Sequence, residues 1–147
     1  MSSNFESLER ALASLPPNQW RMRKAIILDW HDRPQEGVCE LSTPPCCFLF
    51  QLFADEAHPD GVGPLFILSE MSLGAVDQLA SILTDLGERR DPVWIPIWRF
   101  TNQAAQIRAE QDVDRLLATA RPTNIMICTK NIEQFSGCWH LARSTET

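Results

Sequence analysis

Three segments of alternating apolar and polar residues constrain the fold of this chain more than any other feature. Residues 24–31, 38–41 and 46–54 have the period-two alternation of β-strands. The stretches 33–36 and 42–45 between them are rich in turn residues and have four residues each. Because loop length fixes the register of a hairpin, these segments predict a three-stranded antiparallel meander with one defined pairing.

The predicted register places side chains in rows that cross the three strands. Two rows lie on the apolar face: Leu28, Leu41 and Cys46, and next to it Trp30, Cys39 and Phe48. A third row lies on the reverse face: Asp29, Glu40 and Cys47. We therefore expect one apolar and one partly polar face, with Trp30 buried.

Helical periodicity predicts a first helix from Ser3, with Glu6 as its capping partner, to the stop at Pro16. A third helix begins at Thr101 or Asn102 and ends before the proline at position 122. Between these two, a second helix starts at residue 72 and ends at residue 87, a glycine of the kind that follows the last turn of a helix. Its apolar positions fall on one stripe: Leu73, Val76, Ala80, Leu83 and Leu86.

Further strands are predicted at residues 65–69, 92–100 and 125–128, while residues 137–141 are either another strand or a terminal coil. No linker rich in Gly or Ser and no internal repeat interrupts this order. We therefore expect a single α+β domain over residues 1–147, with a mainly antiparallel sheet and helices packed on one face. The other face then needs a different cover, such as a partner.

The composition excludes several classes of protein. No apolar run approaches the roughly 18 residues of a membrane span, and a net charge of −6 disfavours nucleic acid as a partner. The first residues lack a basic segment followed by an apolar one, so we expect no secretory signal and a cytoplasmic location. Eleven of the 13 basic residues are arginine, which we interpret as the coding bias of a GC-rich bacterial genome.

The cysteines are five in number and have no C-x-x-C spacing: Cys39, Cys46, Cys47, Cys128 and Cys138. Most of them fall in predicted strands, where cysteine behaves as a small apolar residue. We therefore expect reduced thiols in the core, no structural disulfide, and neither a metal nor a cofactor.

One candidate catalytic site lies on the reverse face of the meander. In the predicted register Asp29 is directly opposite Glu40, with Cβ atoms about 5 Å apart, and His31 is within diagonal reach of Glu40. Carboxylates at this distance beside an imidazole are the groups from which acid–base pairs and metal sites are built. The alternative interpretation is a solvated sheet edge, since one face of an antiparallel sheet is usually polar.

A candidate partner-binding surface is aromatic. Trp94, Trp98 and Phe100 share one face of the strand 92–100 with Pro96. Proline cannot donate to a sheet ladder, so it confines this strand to an edge or a bulge. Exposed tryptophans on an edge are typical anchors of protein interfaces. The alternative is that a helix covers them.

Two functions follow from these sites. The first is a non-catalytic protein-binding module that acts with a protein partner or as a homodimer, and its acidic charge suits a basic partner, as in a bacterial immunity-type inhibitor. The second is a small hydrolase or isomerase that uses Asp29, His31 and Glu40. No catalytic, cofactor or nucleic-acid motif elsewhere in the sequence decides between them.

Overall fold

The structure, a computed structural model, describes residues 4–30, 34–54, 64–83, 93–94, 103–128 and 140–143. Its helices are α1 (Asn4–Ala13), α2 (Ala75–Ile82) and α3 (Gln103–Leu117), with a short 3₁₀ turn at Pro17–Gln19. Its strands are β1 (Arg21–Trp30), β2 (Pro34–Thr43), β3 (Pro45–Ala54), β4 (Leu65–Met71), β5 (Val93–Trp94), β6 (Arg121–Cys128) and β7 (His140–Arg143).

The strands form one sheet in the order β5-β1-β2-β3-β4-β6-β7. Neighbouring strands run antiparallel, except that β5 is parallel to β1. Helices and a largely antiparallel sheet together confirm the predicted α+β class.

The predicted pairing of β2 with β3 is confirmed. Cys39 lies opposite Phe48, Leu41 opposite Cys46, and Glu40 opposite Cys47. The prediction succeeded here because the alternation of β2 and β3 continues up to a short connection, so that only one register puts both apolar rows on one face.

The predicted pairing of β1 with β2 is wrong. Cys39 lies opposite Ala25 instead of Trp30, five residues earlier, and Trp30 lies opposite Pro34. Only residues 31–33 separate the two strands, because β2 already begins at Pro34. Proline is tolerated as the first residue of a strand, where its missing N–H is not needed for pairing. The register also shifts between Ile27 and Asp29, and such irregularities cannot be read from alternation.

A displacement by an odd number of residues moves side chains to the other face of a sheet. Leu28 therefore packs with the cluster that contains Val38 and Cys47, and not with Leu41. The row that crosses the apolar face is Ala25, Cys39 and Phe48, all buried.

The expectation that the helices lie on one face is also wrong. Leu8 and Leu12 of α1 are buried against the face that carries Phe48. Residues of α2 and α3 cover the reverse face, where Val38 and Leu49 are buried. Both faces of the central strands are apolar because each one has a helical cover from the chain itself.

Helix α2 begins at Ala75, three residues later than predicted. Gly74 before it has φ 95°, a left-handed conformation that glycine adopts without strain. Leu73 consequently lies outside the helix and is 61% exposed, so its predicted place on the apolar stripe is wrong. Leu79 lies in the core with Val76 and Leu83.

Candidate functional site

The structure does not bring the predicted acid–base residues together. Asp29 is exposed and lies opposite Glu36, whereas Glu40 lies opposite Lys24. The predicted juxtaposition of Asp29 and Glu40 is therefore wrong, because the short connection after β1 shifts the pairing. His31 lies outside the described residues.

Glu40 instead holds the start of α2. Its Oε1 accepts a hydrogen bond from the main-chain N–H of Gly74 at 3.3 Å, and its Oε2 lies 3.4 Å from Nη1 of Arg23. Gly74 at the N-cap has no side chain to satisfy the free N–H groups of the first turn. The carboxylate of Glu40 accepts from the N–H of Gly74 itself, and its charge is favourable at the positive end of the helix dipole.

The thiols near this helix start are not nucleophiles at neutral pH. Burial, with the negative charge of Glu40, raises the pKa of Cys47 to about 12, although the main-chain N–H groups of Val76 and Ala75 act in the opposite direction. Burial, with Glu40 and Glu70, raises the pKa of Cys46 to about 12. Both side chains therefore remain neutral thiols and pack as small apolar groups.

Glu70 is a carboxylic side chain buried in the sheet. It belongs to β4 and is only 5% exposed. Its Oε2 accepts a hydrogen bond from the main-chain N–H of Leu8 at 3.0 Å. Its Oε1 is buried and has no hydrogen-bond partner among the residues that the structure describes. A buried carboxylate oxygen without a partner is rare, because it loses its hydration and receives nothing in return.

The residue opposite Glu70 does not supply that partner. Arg121 in β6 is its cross-strand neighbour, but the side chain of Arg121 is exposed. Within the described ranges no salt bridge joins the two. Arg121 therefore leaves Oε1 of Glu70 without a partner among the described residues.

A cleft of about 260 Å³ lies beside Glu70, between α1 and the end of β4. We call it the Glu70 cleft; it is lined by Leu8, Pro45, Cys46, Cys47, Glu70, Met71, Ser72 and Leu73. Most of these side chains are apolar, and Leu73 is largely exposed. The cleft thus combines one carboxylate with an apolar lining.

The lining of the Glu70 cleft carries few ionisable groups. Glu70 is its one carboxylate, and both of its thiols have a raised pKa, so the lining holds no acid–base pair of the usual kind. In the described part of the chain, no three residues among His, Cys, Asp and Glu are grouped to hold a metal ion. The Glu70 cleft therefore combines one carboxyl group with a largely apolar lining.

A second depression of about 300 Å³ lies between α3 and β1, on the opposite face of the sheet. We call it the acidic groove; it is lined by Leu28, Glu36, Glu110, Val113, Asp114 and Leu117. Glu36 accepts a hydrogen bond from Gln51 at 2.8 Å, so it is already partnered. The groove adds negative potential to this face without a buried unsatisfied group of its own.

The predicted aromatic surface is described only in part. Val93 and Trp94 form β5, the strand at one end of the sheet, where Trp94 lies opposite Ile26 of β1. An edge was one of the two positions predicted for this strand, the other being a bulge. Trp98 and Phe100 lie outside the described residues.

Sequence reasoning missed Glu70 because the predicted fourth strand stopped at Ser69. The signal was present: Glu70 continues the alternation of Phe66 and Leu68, which lie on the face covered by α1. A carboxylate at such a position has to be buried or to end the strand.

Comparison with family models, with curated proteins and with solved structures finds no match. Among the helices of the described residues, none is both long and apolar enough to cross a membrane. The function of this chain therefore has to be inferred from its own residues.

Proposed function

We propose that this protein is a non-catalytic binding module that recognises a basic group of a protein partner through the Glu70 cleft. The observation that carries this proposal is the buried Oε1 of Glu70, which lacks a hydrogen-bond partner among the described residues. Leaving a buried acceptor unsatisfied costs about 1–3 kcal/mol, and more for a charged group. A partner that donates to Oε1 recovers this free energy on binding.

The charge of the protein supports a basic partner. The net charge is −6, so the protein is acidic as a whole. A surface of one sign attracts a partner of the opposite sign and accelerates association at low salt.

The size of the Glu70 cleft supports a protein partner over a free small molecule. Its volume of about 260 Å³ is below the roughly 300–1,000 Å³ that is typical of small-molecule pockets. One side chain fits such a space, while the rest of the partner lies outside and contacts exposed residues such as Leu73.

The proposal includes the edge strand β5 as a second contact. Trp94 belongs to the strand at one end of the sheet, and tryptophans of edge strands are typical interface anchors. Trp98 and Phe100 are proposed to extend this surface. A cytoplasmic location also belongs to the proposal, because the free thiols of Cys39 and Cys46 suit a reducing compartment.

No observation on the described residues favours the alternative of a hydrolase or isomerase. Glu40 is hydrogen-bonded to Gly74 and paired with Arg23. Asp29 lies opposite Glu36 and not opposite Glu40. Glu40 therefore has structural partners, and Asp29 does not face it.

Fluorescence anisotropy tests the proposal with labelled ten-residue peptides built from Gly and Ala. Each peptide carries one central residue, which is Lys, Arg, Gln or Glu. We expect only the two basic peptides to bind, and we expect the Glu70→Gln variant to lose that binding while Asp114→Asn keeps it. Equal binding of all four peptides, or basic binding that Glu70→Gln leaves intact, would contradict the proposal.

Sedimentation velocity distinguishes a second copy of the chain from a different partner. If the partner is a second copy, wild-type protein self-associates with increasing concentration and Glu70→Gln does not. The double replacement Trp94→Ala and Trp98→Ala tests the edge in the same assay. Self-association that survives all three replacements would assign the dimer to another surface.

A further inference from the structure

We propose that the group bound in the Glu70 cleft is a single lysine ammonium, with the stem of the lysine side chain against the apolar lining. This inference rests on the proposed function and adds the identity of the recognised side chain. It comes from the number of free acceptors, from the polarity of the lining and from the charge balance inside the cleft.

The number of free acceptors favours lysine over arginine. Oε2 of Glu70 is engaged by the N–H of Leu8 at 3.0 Å, and only Oε1 lacks a partner among the described residues. Arginine gains most from a carboxylate when both oxygens accept from its planar fork. An ammonium is a compact point charge with three donors that rotate about the end of its stem, so it can direct one of them at a single acceptor. Glu70 therefore presents the pattern that suits an ammonium.

The lining favours a long aliphatic stem. Leu8, Met71 and Leu73 contribute apolar side chains to the cleft, and Leu73 is 61% exposed in the free protein. Lysine carries a four-carbon stem that packs along apolar surface while its charged end reaches a polar group. A bound lysine removes part of the exposed surface of Leu73 from water.

The charge balance favours one cation. Glu70 is the one carboxylate of the lining, and the thiols of Cys46 and Cys47, whose pKa is about 12, stay neutral near pH 7. A single positive charge therefore neutralises the cleft. A divalent cation would bring a second charge and lacks the further oxygen ligands that it prefers.

NMR titration of the ¹⁵N-labelled protein tests this inference with three small probes. The probes are n-butylammonium and n-propylguanidinium, which reproduce the ends of lysine and arginine, and 1-butanol, a neutral molecule of the same size as the ammonium. The main reporter is the amide of Leu8, because it is bonded to Glu70. We expect saturable shifts with n-butylammonium at about millimolar affinity, at least fivefold weaker binding of n-propylguanidinium, and none for 1-butanol.

Two variants show whether the probe occupies the predicted position. Glu70→Gln keeps a carbonyl oxygen for the N–H of Leu8 and removes the charge, and it should weaken n-butylammonium binding at least about tenfold, the loss expected of a charge-assisted hydrogen bond. Asp114→Asn removes the same charge outside the cleft and should leave the affinity unchanged. Leu73→Ser changes an exposed side chain of the lining and should weaken binding about threefold without affecting folding.

The outcomes separate this inference from the proposed function. If n-propylguanidinium binds as tightly as n-butylammonium and both depend on Glu70, the lysine inference is wrong and the basic-group function stands. The lysine inference and the proposed function are both wrong if 1-butanol binds as well as the cations. They are also both wrong if no probe shifts the Leu8 amide at concentrations up to 50-fold above the expected dissociation constant. If Glu70→Gln does not fold, unchanged binding in Leu73→Ser overturns the inference.

Discussion

The main-chain N–H of Leu8 in α1 and Oε2 of Glu70 in β4 form a hydrogen bond of 3.0 Å between residues 62 positions apart in the chain. This bond ties the N-terminal helix to the centre of the sheet. It uses one oxygen of the carboxyl group and leaves the other, Oε1, buried and unsatisfied within the described structure. Glu70 thus both bonds the helix to the sheet and lines the Glu70 cleft.

The two leucines around the start of α2 should respond differently to truncation. Leu79 is fully buried under the sheet, whereas Leu73 is 61% exposed. We expect Leu79→Ala to lower the free energy of unfolding by about 2–5 kcal/mol and Leu73→Ala to change it by less than about 0.5 kcal/mol. Urea denaturation measures both, and comparable losses would contradict the placement of α2.

Gly37 should tolerate no larger residue. A Cβ there would lie 2.6 Å from the main-chain oxygen of Ile26 and 2.6 Å from the ring of Phe50. We expect Gly37→Ala to cost about 3 kcal/mol, the upper end of typical overpacking penalties, because the main chain of β1 cannot move away independently. Gly74→Ala meets no atom within 4 Å and should cost only the strain of its φ, about 1 kcal/mol. Thermal and urea unfolding of both variants check this order.

Glu40 should matter for stability and Asp29 should not. Glu40→Gln replaces the charge that faces the start of α2 and Arg23, and we expect a loss of about 1 kcal/mol together with faster amide exchange of Gly74. Asp29→Asn changes an exposed side chain and should be neutral within about 0.5 kcal/mol. Equal losses of unfolding free energy in the two variants would contradict this assignment and would favour Asp29 and Glu40 acting as a pair.

The buried thiols should make the fold sensitive to alkali. Burial raises the pKa of Cys46 and Cys47 from 9.0 to about 12, so the native state holds these protons more tightly than the unfolded chain does. The contribution of these two thiols to the free energy of unfolding is complete below about pH 9. It is lost as the pH rises towards 12, by up to about 1.4 kcal/mol per thiol per pH unit. Urea midpoints at pH 8, 9 and 10 should fall less steeply in the Cys46→Ala and Cys47→Ala variants than in the wild type.

Thiol chemistry provides a separate check on burial. We expect iodoacetamide at pH 8 to leave Cys39, Cys46 and Cys47 unmodified in the native protein, since all three are buried with a raised pKa. In denaturant without reductant, all five thiols of the chain should react. Rapid native modification of Cys46, as mapped by mass spectrometry, would contradict the packing of α1 on β3.

The sequence predicted the β2–β3 register but not the β1–β2 register, and the difference has a physical cause. Alternation continues through β2 and β3 to a short turn, so Cys39 and Phe48 are opposite each other in the only consistent pairing. Between β1 and β2, Pro34 and Glu36 have the composition of a turn but lie in a strand. Turn propensity is a local preference, and pairing with neighbouring strands overrides it.

The candidate site was harder to predict than the fold. Asp29 and Glu40 were predicted to form an acid–base site because they are polar residues in alternating segments. Their proximity depended on the β1–β2 register, which is wrong. Glu70 gave a weaker local signal, and its importance depends on Leu8, a residue 62 positions away. A hydrogen bond between a helix main chain and a distant strand leaves no periodicity in the sequence.

In the proposed function, the charge of Glu70 serves a ligand and not the stability of the free protein. The most direct measurement is the free energy of unfolding of Glu70→Gln against wild type, with Glu70→Leu as the control that also removes the acceptor for Leu8. Because glutamine keeps that acceptor and removes an unsatisfied buried charge, we predict that Glu70→Gln is at least as stable as wild type, while Glu70→Leu loses the hydrogen bond to Leu8, about 1 kcal/mol or more. A loss of about 2 kcal/mol or more in Glu70→Gln would show that the charge is needed for folding and would contradict the account.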